Sequence, residues 1–366
     1  RLVTNTESNG RFHSDWLTMI YSRLKLARNM LRDDGVIFIS IDDNEVFNLI
    51  KICDEVFGSD NRLENFHMQV RYANKSLNED SDFQQVMEYV LVYAKDNNVF
   101  IPKKPSEPYS LSKFIYSIDE LSEGEDIYIG KKKVTIFKQG EWEISKSNEG
   151  SVELLKETWA SGSLVNQGGS ASEFLAKYLI DRKDKDGLSV LYKIDNMGED
   201  GLGYRYVAGP RKEDAIRGKF YSGVPISRLE ELKEGSSKKF KPIVNYYDFS
   251  ADFGNIRHEG GVTFNSGKKP IKLIKLLINI ANTDPEDIIM DFFAGSGSTA
   301  HAVMQYNLES SERLKTISVQ LDEQLSFADP KQKSSHKFCI ENGLKPNVSE
   351  LSQERIRRAG QKILED

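Results

Sequence analysis

Residues 291 to 300 read Asp-Phe-Phe-Ala-Gly-Ser-Gly-Ser-Thr-Ala, between the apolar run Ile288-Ile289-Met290 and the helix-like Ala300-His301-Ala302-Val303-Met304. This pattern predicts a strand, a tight glycine turn and a helix N-terminus. At such a junction Gly295 and Gly297 let the backbone approach a ligand with no Cβ in the way, while the N–H groups of the first helical turn face an anionic or polar group. Position constrains the fold further. Most nucleotide folds carry this loop early, whereas here some 290 residues precede it.

A chain of 366 residues has room for about two domains. Its longest apolar stretches, such as Val36-Ile37-Phe38-Ile39, are strand-sized and far short of a membrane span. Cys53 and Cys339 lie far apart without Cys-x-x-Cys spacing, which argues against a disulfide framework or a structural zinc and predicts a reducing, cytoplasmic setting. His13, His258 and His301 lack metal-like spacing. The chain opens at Arg1 with no methionine and no apolar signal segment, so residue 1 is not expected to be the natural start.

The net charge of −6 hides segregation, because residues 201 to 275 carry 15 Lys and Arg against 8 Asp and Glu. In that stretch bases alternate with aromatics: Tyr204-Arg205-Tyr206, Arg211-Lys212, Lys219-Phe220-Tyr221, Lys238-Lys239-Phe240-Lys241. Basic side chains neutralise phosphates and aromatic faces stack on bases, so Arg205, Tyr206, Arg211, Lys212, Lys219, Lys238, Lys239 and Lys241 are the candidate nucleic-acid contacts. A solvated, loop-rich surface has the same composition.

Trp16, Leu17, Ile20, Leu24, Ala27 and Leu31 recur at helical spacing, Val36 to Ile41 form a buried strand, and Asp42-Asp43 are placed to cap a second helix ending at Gly58. Two more strands are expected near residues 66–72 and 89–95. From about residue 96 to Gly261 periodicity weakens and Pro, Gly, Ser and Lys dominate, which predicts an inserted domain. Helix, strand, glycine turn, helix and strand then follow from Lys269 to Leu321, and a mixed-charge helix ends the chain.

The turn admits three ligand classes. A Walker-type phosphate loop needs a lysine before the Ser or Thr, and Gly297-Ser298-Thr299 has none. A dinucleotide fingerprint fits Gly295-x-Gly297-x-x-Ala300 with Asp322 on the ribose. An S-adenosylmethionine site needs the same turn and acid but no pyrophosphate cradle, and Asp291 and Phe293 favour it, since acidic groups suit an ammonium and a sulfonium.

Phe293-Ala294-Gly295-Ser296-Gly297-Ser298-Thr299 resembles the cofactor motif of DNA amino-methyltransferases, and its late position resembles the permuted class. Further blocks are similar to the modification subunit of type III restriction-modification systems: Arg11 to Leu17, Gly35 to Glu45, Asp195 to Gly201, Arg257 to Gly261, Lys268-Lys269-Pro270 and Glu354 to Gly360. The resemblance implies an α/β fold: a Rossmann-like, mostly parallel methyltransferase sheet with an antiparallel edge strand, plus an inserted α+β target-recognition domain. It divides the chain into a catalytic half (1–95), the target-recognition domain (96–261) and a cofactor half (262–366).

What the resemblance implies for function is methyl transfer from S-adenosylmethionine to N6 of a flipped adenine in double-stranded DNA. The cofactor would be held by Asp291, Phe293, Ala294, Gly295, Gly297, Asp322, Lys269 and Pro270. The implied partners are a second copy of the chain and an ATP-dependent restriction (helicase/endonuclease) subunit. The family's catalytic tetrapeptide, an Asp or Asn, two prolines and an aromatic, occurs nowhere in the sequence. It is expected upstream, on a strand between those at 288–292 and 36–41, and residues 1–366 alone are expected to be inactive. A dinucleotide-dependent oxidoreductase and a DNA-specificity subunit without catalysis are the other readings.

Overall fold

The computed structural model describes residues 10–75, 82–160, 170–215, 218–264 and 267–365. Two compact units divide the chain: an outer unit of Arg1–Pro105 with Pro242–Asp366, and an inserted unit, Ser106–Lys241.

The outer unit begins with α1 (Phe12–Met30), β1 (Val36–Ile41), α2 (Val46–Phe57), β2 (Arg62–Gln69) and β3 (Met87–Ala94). The inserted unit follows with β4 (Ser106–Pro108), β5 (Phe114–Glu120), β6 (Glu125–Ile129), β7 (Lys132–Phe137), β8 (Trp142–Lys146), β9 (Leu155–Ala160), α3 (Ser170–Phe174), α4 (Lys183–Asp186), β10 (Leu191–Asp195), β11 (Tyr204–Ala208), β12 (Gly218–Ser222), α5 (Ile226–Lys233) and β13 (Lys238–Phe240). The chain returns to the outer unit with β14 (Tyr246–Asp248), α6 (Ser250–Asn255), α7 (Ile271–Ala281), β15 (Ile288–Asp291), α8 (Ser298–Ser310), β16 (Lys315–Ser318), α9 (Lys333–Glu341) and α10 (Val348–Glu365).

Strand β1 shows why the outer unit is layered. Successive strand residues point to opposite faces. Ile37, Ile39 and Ile41 pack with Leu24, Leu49 and Cys53 of α1 and α2, while Val36 and Phe38 pack with Leu273 and Leu277 of α7. The sheet therefore lies between helices. Leu49 and Leu91 are fully buried, each contributing about 2 kcal/mol by its removal from water. Helix α2 ends at Gly58, whose φ of 92° only glycine adopts readily. Its N-cap is Glu45, with no side-chain cap bond. Asp42 instead accepts the Asn44 N–H in a tight turn, correcting the expected Asp42-Asp43 cap.

The α/β class holds, but the sheet departs from one mostly parallel array. Strands run β1-β3-β2-β14 in one sheet, antiparallel at β1/β3 and β3/β2 and parallel at β2/β14, and β15-β16 form a separate parallel pair. The ladder is broken because a cleft separates β1 from β15.

The inserted unit is an antiparallel eight-stranded sheet of order β6-β7-β10-β11-β12-β9-β5-β8, with β4 and β13 pairing antiparallel where the unit begins and ends. Short strands explain its weak sequence signal. The β6–β7 hairpin turns on Gly130 and Lys131, at φ 54° and 68°, the handedness a two-residue hairpin needs. The unit is narrower than the 96–261 texture predicted, because β14 adds to β2 with Tyr246 opposite His67. Among the described residues, no helix is long and apolar enough to cross a membrane.

Candidate functional site

A cleft of about 1060 Å³ opens in the outer unit. The whole of β1 lines one wall and β15 the other, with Trp16, Ile20 and Leu24 of α1 and Leu273, Leu277 and Ile278 of α7 completing it. Among the described residues β1 pairs only with β3 and β15 only with β16, so each strand leaves one hydrogen-bonding edge toward the cleft. The glycine turn lies at the end of β15 and contributes Phe293, Ala294, Gly295, Ser296, Ser298 and Thr299 to the lining.

Asp291 organises the turn. Its Oδ1 accepts the Phe293 N–H at 3.0 Å and its Oδ2 the Thr299 hydroxyl at 2.6 Å. Ala294 N–H donates to the Val319 carbonyl, Gly297 N–H to the Ala294 carbonyl, and Gly295 N–H to Gln320 Oε1 at 2.7 Å. The two glycines serve different neighbours. At Gly295 (φ 52°) a Cβ would meet nothing nearer than the Phe293 carbonyl oxygen at 3.7 Å, leaving open space. At Gly297 (φ 74°) it would come within 2.9 Å of Ser352 Oγ and 3.3 Å of Ile356 on α10, so Gly297 permits close helix packing.

The other expected cofactor residues are not all gathered here. Ala294 is buried and Phe293 is 50% exposed, with the Arg23 guanidinium 5.9 Å from its ring centre. Lys269 lines the cleft, its Nζ paired with Glu88 at 2.5 Å. Pro270 is buried at the head of α7 and is absent from the lining. Asp322 is exposed, beyond the end of β16 at Ser318, and does not line the cleft either. From this segment it is Gln320, which sequence reasoning missed, whose side chain reaches the turn. Nothing in the sequence distinguishes it from a neighbouring surface residue.

Behind the turn lies a second polar layer. Lys268 is buried and donates from Nζ to the Val262 carbonyl at 2.8 Å and the Glu259 carbonyl at 3.2 Å; burial holds its ammonium down to about 8. Burial, then the positive charge of Arg355, push the His301 imidazole down to about 4. Burial also raises the Glu259 carboxyl above its usual range.

The basic candidates of the inserted unit separate into two groups. Arg205 and Tyr206 prove buried, correcting their placement on a surface: Arg205 Nη1 meets Asp200 Oδ2 at 2.6 Å, and the Tyr206 hydroxyl bonds Glu120. Lys219 pairs with Glu157 at 2.8 Å and lies 4.5 Å over the ring of Trp159, itself 66% exposed. Lys241 pairs with Glu107 at 2.5 Å. Arg211, Lys212, Lys238 and Lys239 are exposed, the last two beside exposed Phe240.

Comparison with known proteins gives a match of residues 4–325 to the family model described as DNA methylase. The chain is 29% identical to the type III restriction-modification enzyme StyLTI Mod subunit of Salmonella typhimurium, over 96% of this chain and 46% of that protein. It is also 29% identical to the EcoP15I Mod subunit of Escherichia coli, over 99% of this chain and 53% of that protein. The chain thus spans about half the length of these curated relatives. A solved structure of a candidate DNA modification methylase from Thermus thermophilus, complexed with S-adenosyl-L-methionine, aligns over 98% of this chain and 83% of its own. Identity is 9% and the TM-score 0.38, too low to bear on the site.

Proposed function

This chain belongs to the DNA methylase family, and we propose that it is the cytoplasmic modification subunit of a type III restriction-modification system, methylating N6 of adenine in double-stranded DNA. The carrying observation is the glycine turn at the end of β15, with Gly295 bare toward the cleft. S-adenosylmethionine, when bound, supplies the electrophilic methyl group. Gly295 leaves room for it, while Phe293, Ala294 and Lys269 border the space. We assign Asp291, Gly297 and Pro270 to shaping the turn and the head of α7, and Asp322, exposed just beyond β16, to the ribose.

Within the turn the N–H groups of Phe293, Ala294, Gly295 and Gly297 are engaged by the turn itself and by the 319–320 segment, so the donors a ligand would meet are those at the head of α8.

An adenine amine is a poor nucleophile because its lone pair is delocalised into the ring, so a group accepting its protons must sit beside it. We place that group on an extended segment seated between β15 and β1. Among the described residues neither strand has a ladder partner on that edge, and backbone groups are costly to leave buried and unpaired. The walls are apolar, as a central strand requires. Arg211, Lys212, Lys238 and Lys239 are the proposed phosphate contacts, with Lys219 and Trp159 as a stacking pair. A second copy and a restriction subunit are the proposed protein partners.

Calorimetric titration of the full-length protein with S-adenosylmethionine and, separately, NAD tests the cofactor. Heat with NAD alone overturns the reading. Methyl transfer onto random-sequence DNA followed by mapping of modified bases tests the reaction; labelled cytosine, or no label, overturns adenine specificity or the methylase reading respectively.

A further inference from the structure

Arg355 of α10 is fully buried. Its Nη1 donates to Ser296 Oγ at 3.0 Å and Ser298 Oγ at 2.8 Å, and those hydroxyls lie 3.0 Å from each other. One guanidinium nitrogen thus ties both serines of the glycine turn. Space for it comes from Gly260, where a Cβ would stand 2.5 Å from Arg355 Nε and 2.7 Å from its Cγ. Among the described residues Nε and Nη2 have no hydrogen-bond partner, and the nearest carboxylate, Glu259 Oε2, is 3.5 Å from Nη2.

Such a residue is a poor device for stability. Burying a cation with donors unused carries a desolvation penalty that one distant carboxylate does not offset, and an apolar side chain of similar length often serves as well or better. What the guanidinium provides is geometry. Ser296 and Ser298 flank Gly297, and both serines line the cleft, whereas no residue of α10 does. The same helix supplies the close contact to Gly297 through Ser352 and Ile356. Helix α10 therefore grips the turn at three consecutive residues without approaching the space a ligand would fill.

We propose that Arg355 is a positioning residue for cofactor binding: through the Ser296 and Ser298 hydroxyls it holds the turn in the conformation that opens Gly295 to the cleft. The proposal rests on the S-adenosylmethionine reading above. A lysine at 355 keeps the charge but presents a single point donor instead of a fork, so it cannot hold both hydroxyls in the same geometry.

The test measures S-adenosylmethionine affinity by calorimetry, and kcat and KM for it, in the full-length protein. Wild type is compared with Arg355→Lys, the double variant Ser296→Ala/Ser298→Ala, and all three changes combined. Expected are a rise of about tenfold in Kd and KM for Arg355→Lys with kcat little changed, a similar rise for the serine pair, and no further rise on combination. The serine variant decides if Arg355→Lys does not fold. Wild-type binding matched by folded variants overturns the positioning role alone, as does a fall in kcat at unchanged KM. No binding by wild type overturns the cofactor reading, and this proposal with it.

Discussion

In the inserted unit, buried Arg205 meets Asp200 at 2.6 Å, and the same carboxylate accepts the Gly223 N–H at 2.7 Å. Arg182 meets Asp186, which also receives the Tyr192 hydroxyl, and Tyr221 donates to Glu157. In the outer unit, among the described residues, two Arg355 nitrogens and His301 Nδ1 have no hydrogen-bond partner, both residues close to the glycine turn. Among the described residues, every unsatisfied buried side-chain atom belongs to the outer unit. Satisfied networks hold one unit's sheet together. Polar groups left short of partners lie instead in the outer unit, at Asn65 of β2 and behind the glycine turn at His301 and Arg355.

The strongest way to break this contrast is Asp200→Ala, which leaves Arg205 buried without its carboxylate, with only the Tyr221 carbonyl at 3.3 Å. It should cost about 3–5 kcal/mol, read as a lowered urea midpoint for the inserted sheet. A loss below about 1 kcal/mol would show that the paired network contributes little. Next in size is Gly260→Ala, which introduces a Cβ 2.5 Å from Arg355 Nε at a φ of 74°. A destabilisation of about 3 kcal/mol is expected, and free tolerance would mean that Arg355 is not held where it lies.

The third is a pH measurement. His301 is held down to about 4, against 6.5 for an ordinary histidine. Between those values the unfolded chain binds a proton that the folded one refuses. Stability therefore falls as pH drops from 6.5 toward 4, by up to about 1 kcal/mol per pH unit. His301→Gln should remove that part of the slope, and identical slopes for the two proteins would refute the assignment. The smallest effect sharpens the baseline: Lys315→Ala breaks an exposed pair with Glu286 and should change stability by less than about 0.5 kcal/mol.

Sequence reasoning reached the glycine turn and the elements around it because strand, turn and helix each leave a local mark there. The helix expected from the Trp16-to-Leu31 spacing lies at Phe12–Met30, and the strand at 288–292 lies at Ile288–Asp291. Which way each glycine faces was not legible. The partner of Gly297 is Ser352, on a helix that nothing local to the turn announces. The acid expected on the ribose lies beyond the strand because β16 stops at Ser318, short of the apolar run, and Gln320 takes the contact with Gly295. Tyr204-Arg205-Tyr206 read as a surface because alternation marks a strand without saying whether its polar member has a buried partner. Asp200, five residues earlier, supplies that partner. The eight-stranded sheet escaped notice because its strands are short and set by pairings far apart in sequence, as between Leu191 of β10 and Phe137 of β7.

The β4–β13 ladder, which joins Ser106–Pro108 to Lys238–Phe240, has a kinetic consequence. Strands paired in this way bring their backbones to about 5 Å. Once the middle of the chain has folded, it delivers its entry and exit as neighbours, so the remainder behaves as though joined by a short tether. The entropic burden of bringing β1 to β15 is then much lighter than their separation in sequence suggests. Order of assembly follows, with the contiguous insertion maturing first and the layers built from the two flanking stretches closing afterwards.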